Sequence, residues 1–255
     1  LVSLSFGPIL LSATPMPAVE VAQPMRLRDL FASSPLGTAG IFLLGSVYAT
    51  QSGMAAVYGT RIGLPAEEIA LFVAVLFGGA LAFQYPIGWL SDRMDRRWLI
   101  FGAAAVGASA CGLGSLAEGR PELLLASAFF AGGVTTPLYA LFLAYTNDYL
   151  SAAEMPSASG GLVFTFGLGA IAGPLVTGWA MERFVPSAFW WVLGATFAGS
   201  AFYALYRMTQ RPAIPAADTE SYLGVLPTAS PVAVEAAGTW AAEQAESERA
   251  DAEAG

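Results

Sequence analysis

Residues 67–117, EEIALFVAVLFGGALAFQYPIGWLSDRMDRRWLIFGAAAVGASACGLGSLA, decide the fold. Two apolar runs flank a stretch, residues 88–97, in which Asp92, Arg93, Asp95, Arg96 and Arg97 are charged. Each run holds about 20 residues, enough for a helix to cross the hydrocarbon core of a bilayer. A joint this short and this charged marks a chain that leaves the membrane, turns at its surface and re-enters. The arginines are explained by such a turn alone, because basic residues fix which loops stay in the cytoplasm. The two acids are not, because carboxylates contribute little to orientation and are costly near lipid unless paired. A carboxylate placed just beyond one helix can accept from the free N–H groups at the start of the next, with arginines a turn away holding it. Such a cluster can fasten two helices in one arrangement and release them in another.

Working outward, the same pattern repeats. Apolar segments run over about 36–58, 66–90, 97–117, 122–147, 156–181 and 186–207, joined by the polar stretches TRIGLPAEE, SDRMDRR, EGRPE, DYLSAAE and ERFVPS. The chain of 255 residues is 56% hydrophobic and 12% charged, with a mean hydropathy of +0.60; a soluble domain carries about 25% charged residues. The expected fold is therefore all-α: a polytopic membrane bundle of six transmembrane helices spanning 36–207. Alternate joints differ in arginine content. One set holds Arg26, Arg28, Arg93, Arg96, Arg97, Arg207 and Arg211, the other Arg61, Arg120 and Arg183, which places both ends of the six-helix block in the cytoplasm. Trp89 and Trp98 are expected at that interface, and Trp179, Trp190 and Trp191 at the opposite one.

The flanks read differently. Residues 1–13 are apolar but too short to span, and are expected to be the end of a preceding helix. Residues 14–35, punctuated by proline, read as a central cytoplasmic loop on the membrane surface. Residues 208–255 carry Asp218, Glu220, Glu235, Glu243, Glu246, Glu248, Asp251 and Glu253 against Arg211 and Arg249, so most of the net charge of −8 belongs to this segment. It is expected to be a disordered acidic cytoplasmic tail, with a short helix over 232–248 the most ordered part it could form.

Composition excludes much chemistry. The chain has no histidine and no lysine, which removes Ser–His and Cys–His nucleophile pairs, histidine-based metal sites and a GxxxxGK phosphate loop. No catalytic residue, metal or cofactor is expected, and no nucleic-acid partner. Cys111, the one cysteine, lies in an apolar run and reads as a small buried side chain.

The turn GWLSDRMDRR resembles that of the major facilitator superfamily of secondary transporters, whose pattern is Gly-x-Leu-(Ala/Ser)-Asp-Arg-x-Gly-Arg-(Arg/Lys). Gly88, Leu90, Ser91, Asp92, Arg93, Arg96 and Arg97 match, and Asp95 stands where the pattern has glycine. In the family this turn joins the second and third helices of each six-helix half, as it does here. A second stretch, GLGAIAGPLVTG, resembles through Gly169, Gly173, Pro174 and Gly178 a Gly-x-x-x-Gly-Pro motif of the fifth helix in exporters of this family. Glycines four apart equally suit plain close packing of two helices, and Pro174 is expected to kink its helix. The stretches QYPIGWLSDRMDRR and AYTNDYL are similar to a bacterial subgroup of uncharacterised exporters. The resemblance covers residues 1–207 and implies the C-terminal half of a twelve-helix transporter in the bacterial inner membrane, completed by an N-terminal half of the same chain, moving a small molecule by alternating access. A non-transporting membrane scaffold or sensor with a partner-binding acidic tail is the alternative. An intramembrane enzyme, with no histidine and no mid-span pair of aspartates, finds little chemistry to work with.

In such a transporter substrate sits near the midplane. Polar residues inside spans are the candidates: Tyr48 and Gln51 in the first, Thr135, Thr136 and Tyr139 in the fourth, Thr165 in the fifth, with Gln51 foremost. Each could instead serve an interhelical hydrogen bond. Gln84 and Tyr85 lie near the cytoplasmic end of the second span. Gly132, Gly133 and Pro137 are expected to loosen the fourth span as a gating helix. Coupling to protons would want a mid-span acid. None of the six spans has one, so a proton-driven parent would hold it in the other half; Asp148, at a span end beside Asn147, reads as a gate or cap.

Overall fold

In a computed structural model of the chain, residues 25–151 and 154–210 are described. Their secondary structure is helical: α1 (Leu27–Ser33), α2 (Pro35–Arg61), α3 (Ala66–Ser91), α4 (Arg96–Gly114), α5 (Pro121–Asn147), α6 (Met155–Arg183) and α7 (Ala188–Met208). The last six are each long and apolar enough to cross a membrane. They correspond to the six expected spans, with ends displaced by no more than a turn. The expected apolar remnant at 1–13 and the helix over 232–248 lie outside the described residues; within the expected loop 14–35 the chain forms the short helix α1.

The joints follow from local chemistry. α2 and α5 begin on prolines, whose fixed φ suits a first helical turn and whose missing N–H costs nothing there. Beyond α2, Gly63 adopts a φ of 79°, open to a residue without Cβ, and the Leu64 N–H closes back onto the Gly59 carbonyl at 3.0 Å. Glu67 and Glu68 stand in the first turn of α3, where the helix dipole favours them.

The bundle is built from closely paired helices. The most extensive contacts are α2 with α6, α3 with α5, and α4 with α7. Exchanging the first three spans for the last three maps α2–α6 onto α5–α3 and α4–α7 onto itself, an internal pseudosymmetry. Glycine makes the first two pairs possible. A Cβ built on Gly169 would overlap the Phe42 carbonyl oxygen, on Gly173 the Ser46 carbonyl, and on Gly45 the Phe166 carbonyl. Across the related pair, a Cβ on Gly79 would overlap the Phe129 carbonyl and on Gly132 the Leu76 carbonyl. Backbone thus lies against backbone, the geometry small residues allow where lipid gives helices no hydrophobic reason to associate.

α5 runs through the middle and is buried along most of its length, every residue from Ala131 to Thr146 included. Its Gly132–Gly133 pair serves this packing. α5 and α6 remain continuous helices through Pro137 and Pro174.

Trp190 faces the protein interior rather than lipid: it is fully buried, set among Tyr58, Phe72 and Phe189 at ring separations of 5.9, 6.0 and 5.1 Å. Tyr58 stacks on Phe189 at 4.9 Å, closing an aromatic knot between α2, α3 and α7. Successive helical residues point about 100° apart, so of the Trp190–Trp191 pair one turns inward and the other, with Trp179, outward. Cys111 is buried beside Gly194 of α7.

Candidate functional site

The charged turn lies at the end of the bundle where α3 and α5 finish and α4 begins. α3 closes on Asp92, which takes helical φ and ψ of −82° and −5°. Arg93 folds back along the helix it leaves, donating to the Trp89 carbonyl at 2.9 Å with its guanidinium 4.1 Å from the Trp89 ring centroid. The chain then rises through Asp95, whose φ and ψ of −55° and 116° are open to any residue. No glycine is needed here; the turn closes with Asp95 in place of the family's glycine.

Asp95 starts α4. Its carboxylate accepts the Arg97 N–H at 3.0 Å and the Arg97 side chain at 3.1 and 2.7 Å. This is an N-cap reinforced by an ion pair. Burial pushes the Asp95 carboxyl up, but the Arg97 side chain, backbone N–H and charge together outweigh it and hold the group below the usual carboxylate range.

Arg96 does what its position in the sequence does not announce. It is buried, and its guanidinium reaches the Asp148 carboxylate at the end of α5 with contacts of 2.5 and 2.6 Å to the two oxygens. Asp148 is equally buried, each side chain 3% exposed. Arg96 Nε also donates to the Ser91 hydroxyl at 3.3 Å. The pair therefore nails the α3–α4 turn to α5. Beside it Tyr145 packs on Tyr149 at 5.0 Å.

A groove of about 530 Å³ opens on α3, lined by Leu81, Gln84, Tyr85, Gly88, Trp89, Asp92 and Arg93. Their spacing puts them on one helical face. Gly88, Asp92 and Arg93 thus share one surface with Gln84 and Tyr85, which sequence had placed only near the span's end. Of the remaining motif residues, Ser91 is buried, whereas Leu90 is exposed.

The expected cavity residues are placed elsewhere. Gln51, Thr135, Thr136, Tyr139 and Thr165 are all buried inside this bundle. Gln51 Nε2 donates across to the Ala131 carbonyl at 3.3 Å, and the Thr135 hydroxyl donates to the same oxygen at 2.9 Å, tying α2 to α5. The Thr165 hydroxyl donates to the Gly161 carbonyl at 2.8 Å. Tyr48, partly exposed, and Tyr139 each touch the Phe166 ring, at 5.9 and 5.5 Å between centroids. The structure thus links Tyr48 and Tyr139 through the shared Phe166 ring, and Gln51 and Thr135 through the shared Ala131 carbonyl. The Arg96–Asp148 pair is the feature that sequence reading missed. Its one signal was an acid at the end of a span with no charge beyond its first turn.

The sequence profile of the Major Facilitator Superfamily matches residues 36–240. This chain belongs to that superfamily. Among curated major facilitator proteins it is 28% identical over 143 residues to the uncharacterized MFS-type transporter YfkF of Bacillus subtilis, covering 56% of this chain and 36% of YfkF. It is 24% identical over 180 residues to an uncharacterized MFS-type transporter of Yersinia pestis, covering 71% of this chain and 45% of that protein. Against YcaD of Escherichia fergusonii, also named as an uncharacterized MFS-type transporter, it is 24% identical over 149 residues, covering 58% and 38%. The chain spans less than half the length of these relatives. As a major facilitator chain with six apolar spans it is a multi-pass membrane protein, and its six-helix bundle is the size of one half of that fold.

Proposed function

We propose that this chain is the C-terminal half of a secondary transporter that carries a small molecule by alternating access, with the charged turn as a releasable fastener. The observation that carries the reading is the buried Arg96–Asp148 pair. An ion pair taken out of water, here Arg96 Nη1 on both Asp148 oxygens, is stable only while its geometry holds, and it punishes any separation with two unpaired buried charges. It therefore gives the turn and α5 two states, fastened and released, rather than a continuum. Asp92 and Arg93, in the same turn, line the open groove on α3, where a helix of the other half of the same protein would close on them.

In this reading both ends of the six-helix block face the cytoplasm of a bacterial inner membrane, because the arginine-rich joints share that end. The driving force is an ion gradient. If protons supply it, they are carried by an acid outside this half, since the buried acid here is held by Arg96. Tyr48, Gln51, Thr135, Thr136, Tyr139 and Thr165 shape the wall behind the substrate path, and Gly169, Gly173 and Pro174 keep α6 close to α2 on that wall. Efflux is the direction suggested by the Gly-Pro helix.

The test uses the full-length protein in everted vesicles, with efflux of a panel of fluorescent cations and anions followed after energisation. Asp92→Asn and Arg96→Gln should each cut the initial rate, normalised to the amount of protein in the membrane, by about tenfold, a coupling loss of ordinary size. An unchanged rate in both variants would remove the fastener role. Absence of flux across the panel and of any ion-gradient response would remove transport itself.

A further inference from the structure

α1 stands apart from the six spans, yet it is firmly seated. Leu30 is fully buried, the Thr38 hydroxyl donates to the Leu30 carbonyl at 3.4 Å and to the Ser34 carbonyl at 2.9 Å, and Leu27 and Leu30 both lie over Gly161 of α6. α1 is therefore wedged against the first turn of α2 and the second turn of α6. Its outer side chains divide in two. Leu27 and Phe31, one turn apart, are 41% and 49% exposed and form an apolar ridge. Arg26, Arg28 and Asp29 are exposed beside it. Ser34 follows, and α2 starts its span at Pro35. The ridge is thus fixed at the height where acyl chains give way to headgroups.

A short apolar ridge edged with arginines, held at that depth, is the pattern of a helix lying in the plane of the interface. Guanidinium groups match phosphate oxygens in pairs, and basic residues at this level attract acidic lipid. We propose that α1 is an in-plane membrane anchor: Arg26 and Arg28 hold the phosphate of an acidic phospholipid while Leu27 and Phe31 sit among its acyl chains. The occupant is lipid rather than a soluble anion because the ridge and the arginines share one short helix, and only an amphiphile satisfies both. Since α1 touches α2 and α6 together, bound lipid also steadies that glycine-packed pair. The proposal rests on the chain's crossing the membrane and not on its transporting anything.

The experiment reads lipid retention and thermal melting of the full-length protein, transferred from neutral detergent into discs of phosphatidylcholine with or without phosphatidylglycerol. Phosphatidylglycerol should be retained preferentially and raise the melting temperature. Arg26→Gln with Arg28→Gln should weaken that preference by about fivefold per arginine while leaving the melt in neutral detergent unchanged. Phe31→Ser should weaken retention of both lipids alike, and Arg120→Gln, at the opposite end of the bundle, should change neither. Equal phosphatidylglycerol retention by the wild type and the double variant overturns the proposal. So does equal protection by soluble glycerol phosphate, which would make the site one for free anions. Loss of the Arg26 and Arg28 dependence on deleting residues 211–255 overturns it too, since the acidic tail would then be the occupant.

Discussion

Asp95 and Asp148 are three-dimensional neighbours of the same turn, and their energetics differ in a way that can be measured. Replacing Asp95 by Ala removes an N-cap and should cost about 1 kcal/mol. Because its folded pKa lies below the ordinary value, its contribution is present above the unfolded Asp pKa of about 3.9 and is lost as pH falls through the lower folded value. Melts of wild type and Asp95→Ala in detergent should therefore differ at neutral pH and converge at the acid end. Asp148 is the opposite case. Arg96→Gln leaves a buried carboxylate alone and should cost about 3–5 kcal/mol, whereas Arg96→Gln with Asp148→Asn should regain most of it. A double variant no more stable than the single one would mean that the pair is not desolvated as described. The cap could be anticipated from residues 95–97, since its partners are only two positions apart. The ion pair could not: its members are 52 positions apart, and nothing local in either sequence stretch names the other.

At the scale of helices, glycines with the same appearance in sequence have different duties. Gly167 and Gly169 are two residues apart on α6, yet a Cβ on Gly167 meets nothing within 4 Å whereas one on Gly169 overlaps the backbone of α2. Gly167→Ala should be neutral or stabilising by up to about 1 kcal/mol, the helix-propensity gain. Gly169→Ala should destabilise by about 1–3 kcal/mol through overpacking. The two melts in detergent check this, and equal behaviour would contradict the α2–α6 pairing. Here sequence was informative in part. Hydropathy and length gave all six spans, because lipid as solvent demands long uninterrupted helices. The Gly169–Gly173 spacing gave a flat face without saying which helix lies on it. Gly132–Gly133 and Pro137 suggested a loosened helix; what the structure shows of the glycines is that they admit α3, and α5 is the most enclosed of the spans. Gln51 was legible as a polar group needing a partner, but its partner, a backbone carbonyl on α5, leaves no mark in the sequence.

For the molecule as a whole, the surfaces of the bundle are assigned by which aromatic residues they carry. Trp190 and Trp191 are adjacent and lie at nearly the same depth, yet only Trp191 is exposed. In variants retaining one tryptophan each, brominated lipid should quench Trp191 and spare Trp190; quenching of both would break the aromatic knot with Tyr58, Phe72 and Phe189. Cys111 is the chain's one thiol, 1% exposed behind α7. Water-borne maleimides will pass it by, so a reporter cysteine introduced at either end of any span becomes the sole labelled position in this sequence, and spectroscopic rulers can be strung across the bundle without first stripping native sites.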